Sequence, residues 1–263
     1  RLRPAVSVTP KRALGQRFLV DRNILGVIGR LAELDAGDVV LEVGPGLGVL
    51  TRFLAERVAL VHAVEIDRSL EQRLRGELAG CGNVRLLFAD ALTIDLGALD
   101  PAPEKLVANL PYNVATPLVM ESLEGLPSLE LWCVMVQREV ADRLFAAPST
   151  KAYGAVSVLL QLAAVRTGFH PVSRTVFRPP PNVESALVAF RRRPLPPDFG
   201  SIRAVVEAAF GHRRKTLANA LALAGLATRE RAAAALSAIG RAPDVRAEAL
   251  APTEFVALAE ALR

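Results

Sequence analysis

The stretch VVLEVGPGLGVLTRFLAERVALVHAVEID, residues 39–67, changes its hydrophobic period twice within 29 residues. Residues 39–43 form a short β-branched run, residues 49–57 carry apolar side chains at helical spacing, and residues 60–66 form a second run. Strand, helix, strand at this separation is the repeating unit of a parallel sheet with helices on its faces. Between the first strand and its helix, EVGPGLG places glycines at 44, 46 and 48. Glycine lets a backbone turn tightly and approach a ligand that a Cβ atom would exclude. The spacing is GxGxG rather than the dinucleotide pattern GxGxxG, and Pro45 stiffens the loop. Taken alone, the loop fits a structural turn as well as a ligand cradle.

The same alternation continues outward. Apolar runs at 84–88, 106–108 and 129–136 alternate with helical periodicity around 69–79, 117–124 and 138–146. The expected fold is α/β: a Rossmann-like, mostly parallel, doubly wound sheet. Upstream, Asp21 can cap a helix whose apolar residues Ile24, Leu25, Val27, Ile28 and Leu31 share a face. Downstream, 156–162 reads as a helix and 185–190 as a strand, whereas FRPPPNVES, 177–185, is too proline-rich for either. RRRPLPPDF, 191–199, looks like a linker, and the alanine- and leucine-rich remainder has helical spacing. The expected organisation is a basic arm (1–20), a Rossmann-like domain (21–191), a linker (192–199) and a small helical domain (200–263).

Of the 263 residues, 51% are hydrophobic, enough for a sizeable core. No apolar run approaches the roughly 18 to 20 residues of a membrane span, and the basic N-terminal segment lacks a signal peptide's apolar region. A soluble, cytoplasmic protein with no membrane partner is expected. Cys81 and Cys133 are far apart without CxxC or histidine-rich company, so neither a disulfide framework nor a metal site is expected. Cys133, inside LWCVMV, reads as a packing residue.

The net charge is +5, and its placement matters more than its size. Arg1, Arg3, Lys11, Arg12, Arg17, Arg22 and Arg30 face only Asp21 in the first 30 residues, and a second cluster runs from His212 through Arg213 and Arg214 to Lys215. Lys11, Arg12, Arg213, Arg214 and Lys215 are the candidate nucleic-acid contacts. Charge alone fits a polyanion partner or a solvated face equally.

Polar residues at successive strand ends sharpen the reading of the glycine loop. Glu65 ends the second strand, 21 residues after Gly44, where an acid can accept both hydroxyls of a ribose. Asp90, ending LLFAD, can accept from an adenine amino group, and Asn109 ends the fourth strand. In an open parallel sheet, ligands bind beyond the carboxyl ends of the strands, so these groups and Gly44 and Gly46 converge on one crevice. An adenosyl ligand fits both a nicotinamide dinucleotide and S-adenosylmethionine. Hydride transfer usually needs an acid or base such as histidine, yet His62 reads as a strand residue and His170 as a loop residue.

NLPYNVATP, 109–117, separates the two. Thr116 and Pro117 fit an N-cap and a first helical position, which leaves Asn109, Leu110, Pro111 and Tyr112 unexplained by folding. An exocyclic adenine amine is a poor nucleophile because its lone pair is delocalised into the ring. Accepting hydrogen bonds from both of its N–H groups turns that pair outward. The Asn109 side-chain oxygen and the Leu110 carbonyl supply two acceptors, Pro111 fixes the direction of that carbonyl, and Tyr112 offers a stacking face worth about 1–3 kcal/mol. A methyl on a sulfonium needs little activation, so positioning dominates and no general base is required. The base must leave any helical stack to enter. Phe177 is the candidate for a second stacking ring, its other reading being a core phenylalanine.

An ordered set of segments now resembles one family, the rRNA adenine N6,N6-dimethyltransferases: KRALGQRFL (11–19), EVGPGLGVLT (42–51), AVEIDRSL (63–70), FADAL (88–92), NLPYNVATPL (109–118), MVQREVADRL (135–144), KAYGAVSVL (151–159), FRPPPNVESALV (177–188) and FGHRRKTLANAL (210–221). The pieces LGQ, FRPPPNVES and FGHRRKTL favour its small-subunit branch. The resemblance implies dimethylation of two adjacent adenosines near the 3′ end of 16S rRNA in the immature small ribosomal subunit, by a monomer using S-adenosylmethionine. It implies cofactor contacts at Leu19, Gly44, Glu65, Asp90 and Asn109, with Arg17 at a further contact position, and adenine held by Asn109, Leu110, Tyr112 and Phe177. Two positions depart from the family pattern. Arg17 stands where asparagine or histidine is usual, and its guanidinium would repel a sulfonium but attract the methionine carboxylate. Ala115 replaces a common serine. Other readings are a large-subunit rRNA methyltransferase of the macrolide-resistance type and a non-catalytic nucleic-acid-binding factor on the same fold.

Overall fold

A computed structural model describes residues 17–212 and 214–263, so the expected RNA contacts Lys11, Arg12 and Arg213 lie outside the described residues. The described residues begin with β1 (Phe18–Leu19), α1 (Asn23–Leu31), β2 (Val39–Val43), α2 (Val49–Ala55), β3 (Leu60–Glu65) and α3 (Glu71–Glu77). They continue with β4 (Val84–Phe88), β5 (Lys105–Asn109), α4 (Ala115–Gly125), β6 (Leu131–Gln137), α5 (Arg138–Leu144) and α6 (Ala155–Ala163). Next come β7 (Ala164–Val172), β8 (Phe177–Arg178) and β9 (Ser185–Arg192). The chain ends with α7 (Phe199–Gly211), α8 (Leu217–Leu223), α9 (Arg229–Ala238) and α10 (Pro252–Ala261).

A seven-stranded sheet has the order β4-β3-β2-β5-β6-β9-β7. Strands β2 to β6 pair in parallel, while β9 runs antiparallel to β6 with Trp132 opposite Phe190. The strand order reverses at β2, which lies between β3 and β5, and such a switch point opens a crevice beyond the strand ends. Strand β6 explains its own central place: six consecutive residues of LWCVMVQ are buried, as a strand covered on both faces requires. Ile28, Leu54, Val61, Val107 and Leu187 join Cys133 in the main core, each fully buried aliphatic side chain contributing about 1.5–3 kcal/mol. Burial pushes the Cys133 thiol up to about 12, in keeping with a packing role.

Several boundaries differ from expectation. His170 lies in strand β7 at the sheet edge rather than in a loop. Strand β1 pairs antiparallel with β8, placing Leu19 opposite Phe177, so the basic arm and the proline-rich segment each contribute two residues to a small separate sheet. Helix α4 starts at Ala115 with Val114 as N-cap and no side-chain cap, which puts Thr116 and Pro117 inside its first turn. Proline is still accommodated there because first-turn N–H groups have no intrahelical acceptor. Asp21 accepts the Asn23 N–H at 2.7 Å, one position outside the N-cap Arg22.

Contacts divide the chain into two units. One comprises the described residues up to Ala141 together with Arg166–Arg192; the other comprises Asp142–Val165 and Arg193–Arg263. Residues 142–165 therefore belong with the C-terminal helices, not with the sheet domain expected at 21–191. The reason lies in their side chains. Tyr153 donates to the Leu250 carbonyl at 2.7 Å and meets Phe210 edge-on at 5.9 Å, and Phe210 in turn packs against Phe255.

Candidate active site

The glycine loop is shaped by two backbone conformations and what they face. Gly44 has φ +76° and donates its N–H to the Val64 carbonyl at 2.9 Å; a Cβ there would stand 3.3 Å from Pro111. Gly46 has φ +58°, and a Cβ would stand 3.1 Å from the Phe18 ring. Both positions exclude larger residues by conformation and by contact. The loop after β2 is thus fitted against the NLPY segment after β5.

Glu65 ties the loop to the end of β3. One carboxylate oxygen accepts the Gly46 N–H at 3.0 Å and the other accepts the Asp67 N–H at 2.9 Å. Burial raises its pKa, and the N–H groups of Asp67 and Gly46 oppose that rise. Each oxygen keeps a lone pair for a ribose hydroxyl. Asp90, two residues beyond the end of β4, uses Oδ1 to accept the Leu92 N–H at 3.0 Å and has a second carboxylate oxygen. It therefore combines the capping role typical of aspartate with a place on the crevice wall.

Asn109 closes β5 and donates its Nδ2 to the Arg17 carbonyl at 3.1 Å. That bond assigns the amide orientation and keeps Oδ1 as the acceptor. Leu110 donates its N–H to the Met135 carbonyl at 3.1 Å. Tyr112 is half-buried, with its hydroxyl 2.8 Å from Ser185 Oγ. Burial raises the Tyr112 pKa; the Ser185 bond and the Arg17 charge oppose this, and Glu184 adds to it.

Arg17, Gly44, Gly46, Glu65, Asp90, Asn109, Leu110, Pro111 and Tyr112 all line one crevice enclosing roughly 860 Å³, part of it open to solvent. Leu19 is only 6% exposed and reaches a smaller adjoining cavity, which shares Arg17, Gly44, Gly46 and Asn109 with the crevice. Phe177 is 2% exposed in the core beside Leu19, Ile24 and Val176, so its ring offers no open face in this structure. Its pairing with Leu19 explains that burial. Arg214 and Lys215 are exposed on the helical unit. Among the described residues no group of three or more His, Cys, Asp or Glu is placed to hold a metal ion. His62 is a buried strand residue whose Nε2 meets the Pro101 carbonyl at 2.9 Å.

Glu42 is the residue the sequence reading passed over. It is 1% exposed and lines the smaller cavity. Burial raises its pKa to about 8; Thr51 opposes this, and the nearby Glu65 charge adds to it. Thr51 Oγ1 lies close enough to act on the carboxyl, yet neither it nor Glu42 Oε2 meets hydrogen-bond geometry with any described residue. The one available signal was a lone acid inside an apolar run. As pH rises from 4.5 toward about 8, the unfolded chain sheds this proton and the folded chain keeps it, so stability falls across that window and then levels. Glu42→Gln removes this dependence. Its melting temperature should exceed wild type by a margin that grows through the window and stops growing above it; thermal melts showing a constant margin would refute the buried acid.

The crevice opens where the strand order of the sheet reverses, the usual place for a cofactor in such a fold. Its two acids suit a ribose and an adenine, and its glycines leave room for close approach, so the residues present fit S-adenosylmethionine. Fold and crevice are those of a Rossmann-like methyltransferase that uses this cofactor. The sequence model for ribosomal RNA adenine dimethylase matches residues 8–263, and the chain belongs to that family. It is 52% identical over 95% of its length to ribosomal RNA small subunit methyltransferase A of Rubrobacter xylanophilus, covering 94% of that protein. The protein of the same name from Thermobifida fusca is 47% identical, with 99% and 93% covered. Among solved structures, 23S rRNA methyltransferase ErmE is 31% identical with a TM-score of 0.70, over 93% of this chain and 99% of that one. A Plasmodium falciparum dimethyladenosine transferase has a TM-score of 0.78 at 22% identity, over 92% and 95%, a likeness of fold.

Proposed function

We propose that the chain dimethylates N6 of two adjacent adenosines near the 3′ end of 16S rRNA, within the immature small subunit in the cytoplasm. The observation that carries this reading is the orientation of Asn109, whose nitrogen is spent on the Arg17 carbonyl so that its oxygen remains for an amine. When bound, S-adenosylmethionine supplies a methyl group already activated by its sulfonium charge. The chain supplies orientation. Asn109 Oδ1 and the Leu110 carbonyl accept from the adenine amine and turn its lone pair outward, Tyr112 supports the base from one face, and the amine proton leaves to water. Asp90 and Glu65 would hold the adenosyl group.

The small-subunit substrate is favoured by the names of the more similar relatives. Likeness to ErmE favours large-subunit rRNA as the second reading, and one experiment separates them. The protein is incubated with radiolabelled S-adenosylmethionine and immature small subunits from a strain lacking the modification, and the label is mapped. Label is expected on two neighbouring adenosines near the 3′ end of 16S rRNA. Label only on large-subunit rRNA, or none, would overturn the proposal.

A further inference from the structure

We propose that Ser185 is a positioning residue for methyl transfer, acting through Tyr112 by fixing where the ring that supports the substrate base is held. The inference rests on the adenine-methylation reading above. Ser185 is the first residue of β9, is 1% exposed and sits opposite Gln137 in the β6–β9 ladder, so its backbone is held by the sheet. Its hydroxyl lies 2.8 Å from the Tyr112 hydroxyl, 73 residues away in sequence. The tyrosine hydroxyl oxygen lies on the axis about which the ring itself turns, so a contact there restrains the χ1 swing that carries the ring. The other end of the segment is held as firmly, by Asn109 on the Arg17 carbonyl and by Pro111 against Gly44. Ser185 thus anchors the member of the acceptor-and-stacking set whose side chain would otherwise turn most freely.

Ring placement matters because the base lies on that ring while N6 is aligned by two acceptors fixed on the neighbouring backbone. The second transfer is the more demanding one, since the amine already carries a methyl group and offers one N–H instead of two.

Ser185→Ala, Tyr112→Phe and the double variant are compared with wild type on immature small subunits. Ser185→Ala should lower kcat about 10-fold with KM for RNA little changed, and should raise the ratio of monomethyl to dimethyl product. Tyr112→Phe removes the same contact, so the double variant should lose little more than either single variant. Unchanged kcat and product ratio in Ser185→Ala, or losses that multiply in the double variant, would overturn the proposal. A second readout is independent of the RNA substrate. The chain has two tyrosines, so ring-labelled tyrosine NMR of the free protein resolves Tyr112 from Tyr153. Ser185→Ala should move the Tyr112 signal. An unmoved signal defeats the anchoring whichever RNA the enzyme modifies, whereas a moved signal with no wild-type labelling of small subunits defeats only the assigned substrate.

Discussion

Asn109→Ala should lower methyl transfer by about three orders of magnitude, the loss typical of removing a preorganised polar contact to the reacting group. The side chain has two duties on opposite sides. Its nitrogen holds the Arg17 carbonyl at 3.1 Å, and its oxygen remains to accept from the amine. Alanine removes both, so the lone pair of the substrate returns to the ring and the Arg17 segment loses a tether. Asn109→Asp is a sharper probe. The carboxylate still accepts from an amine but has no proton for the Arg17 carbonyl, and two acceptors would face each other there. It should therefore also lose most activity. Both changes leave every basic side chain in place, so cosedimentation with small subunits should alter by no more than about threefold, a pattern of lost transition-state contact rather than lost binding. Wild-type single-turnover rates in Asn109→Ala would refute the amine contact.

Arg192→Met should cost about 3 kcal/mol of stability, because a partly buried guanidinium makes charge-assisted bonds that no apolar side chain replaces. Arg192 ends β9 and donates to the carbonyls of Leu129 at 2.5 Å, Leu123 at 2.7 Å and Leu126 at 2.8 Å. Leu123 lies in the last turn of α4 and Leu126 is its C-cap, so two of these acceptors are carbonyls a helix end leaves without partners. The positive charge also suits the negative end of the helix. The guanidinium lies 5.1 Å from the Trp132 ring, itself stacked on Phe190 at 5.2 Å, and burial lowers the Arg192 pKa. For a chain of this size the loss corresponds to roughly 6–12 °C in melting temperature, readable by calorimetry. Arg192→Lys should recover less than half, since one ammonium cannot span three carbonyls. A shift below about 2 °C for Arg192→Met would show that the carbonyls find other partners.

The central sheet was legible because its five parallel strands are short, mostly apolar runs that alternate with segments of helical spacing. What escaped was short or exposed. Strand β7 contains Gly168 and Pro171 and exposes Val165, Arg166 and Thr167, a composition that reads as loop until an edge position explains it. Strands β1 and β8 have two residues each, too few for any period. The crevice was legible at Gly44, Glu65, Asp90 and Asn109 because a parallel sheet converges at its carboxyl ends. Phe177 was not, since the pairing that buries it joins residues more than 150 positions apart. Nor could the sequence show that it is the main-chain carbonyl of Arg17, an atom every residue carries, that orients Asn109.

The Tyr112–Ser185 contact has a bearing on synthesis. All five parallel strands are complete once the chain has emerged past Gln137, and that sheet can form with its helices from local and neighbouring segments. Tyr112 gains its partner only 48 residues later, and at about 5–20 residues per second the interval lasts several seconds. A nascent enzyme would thus pass through a period in which its sheet has folded but its substrate platform is unbraced, and would be born structured before it is competent.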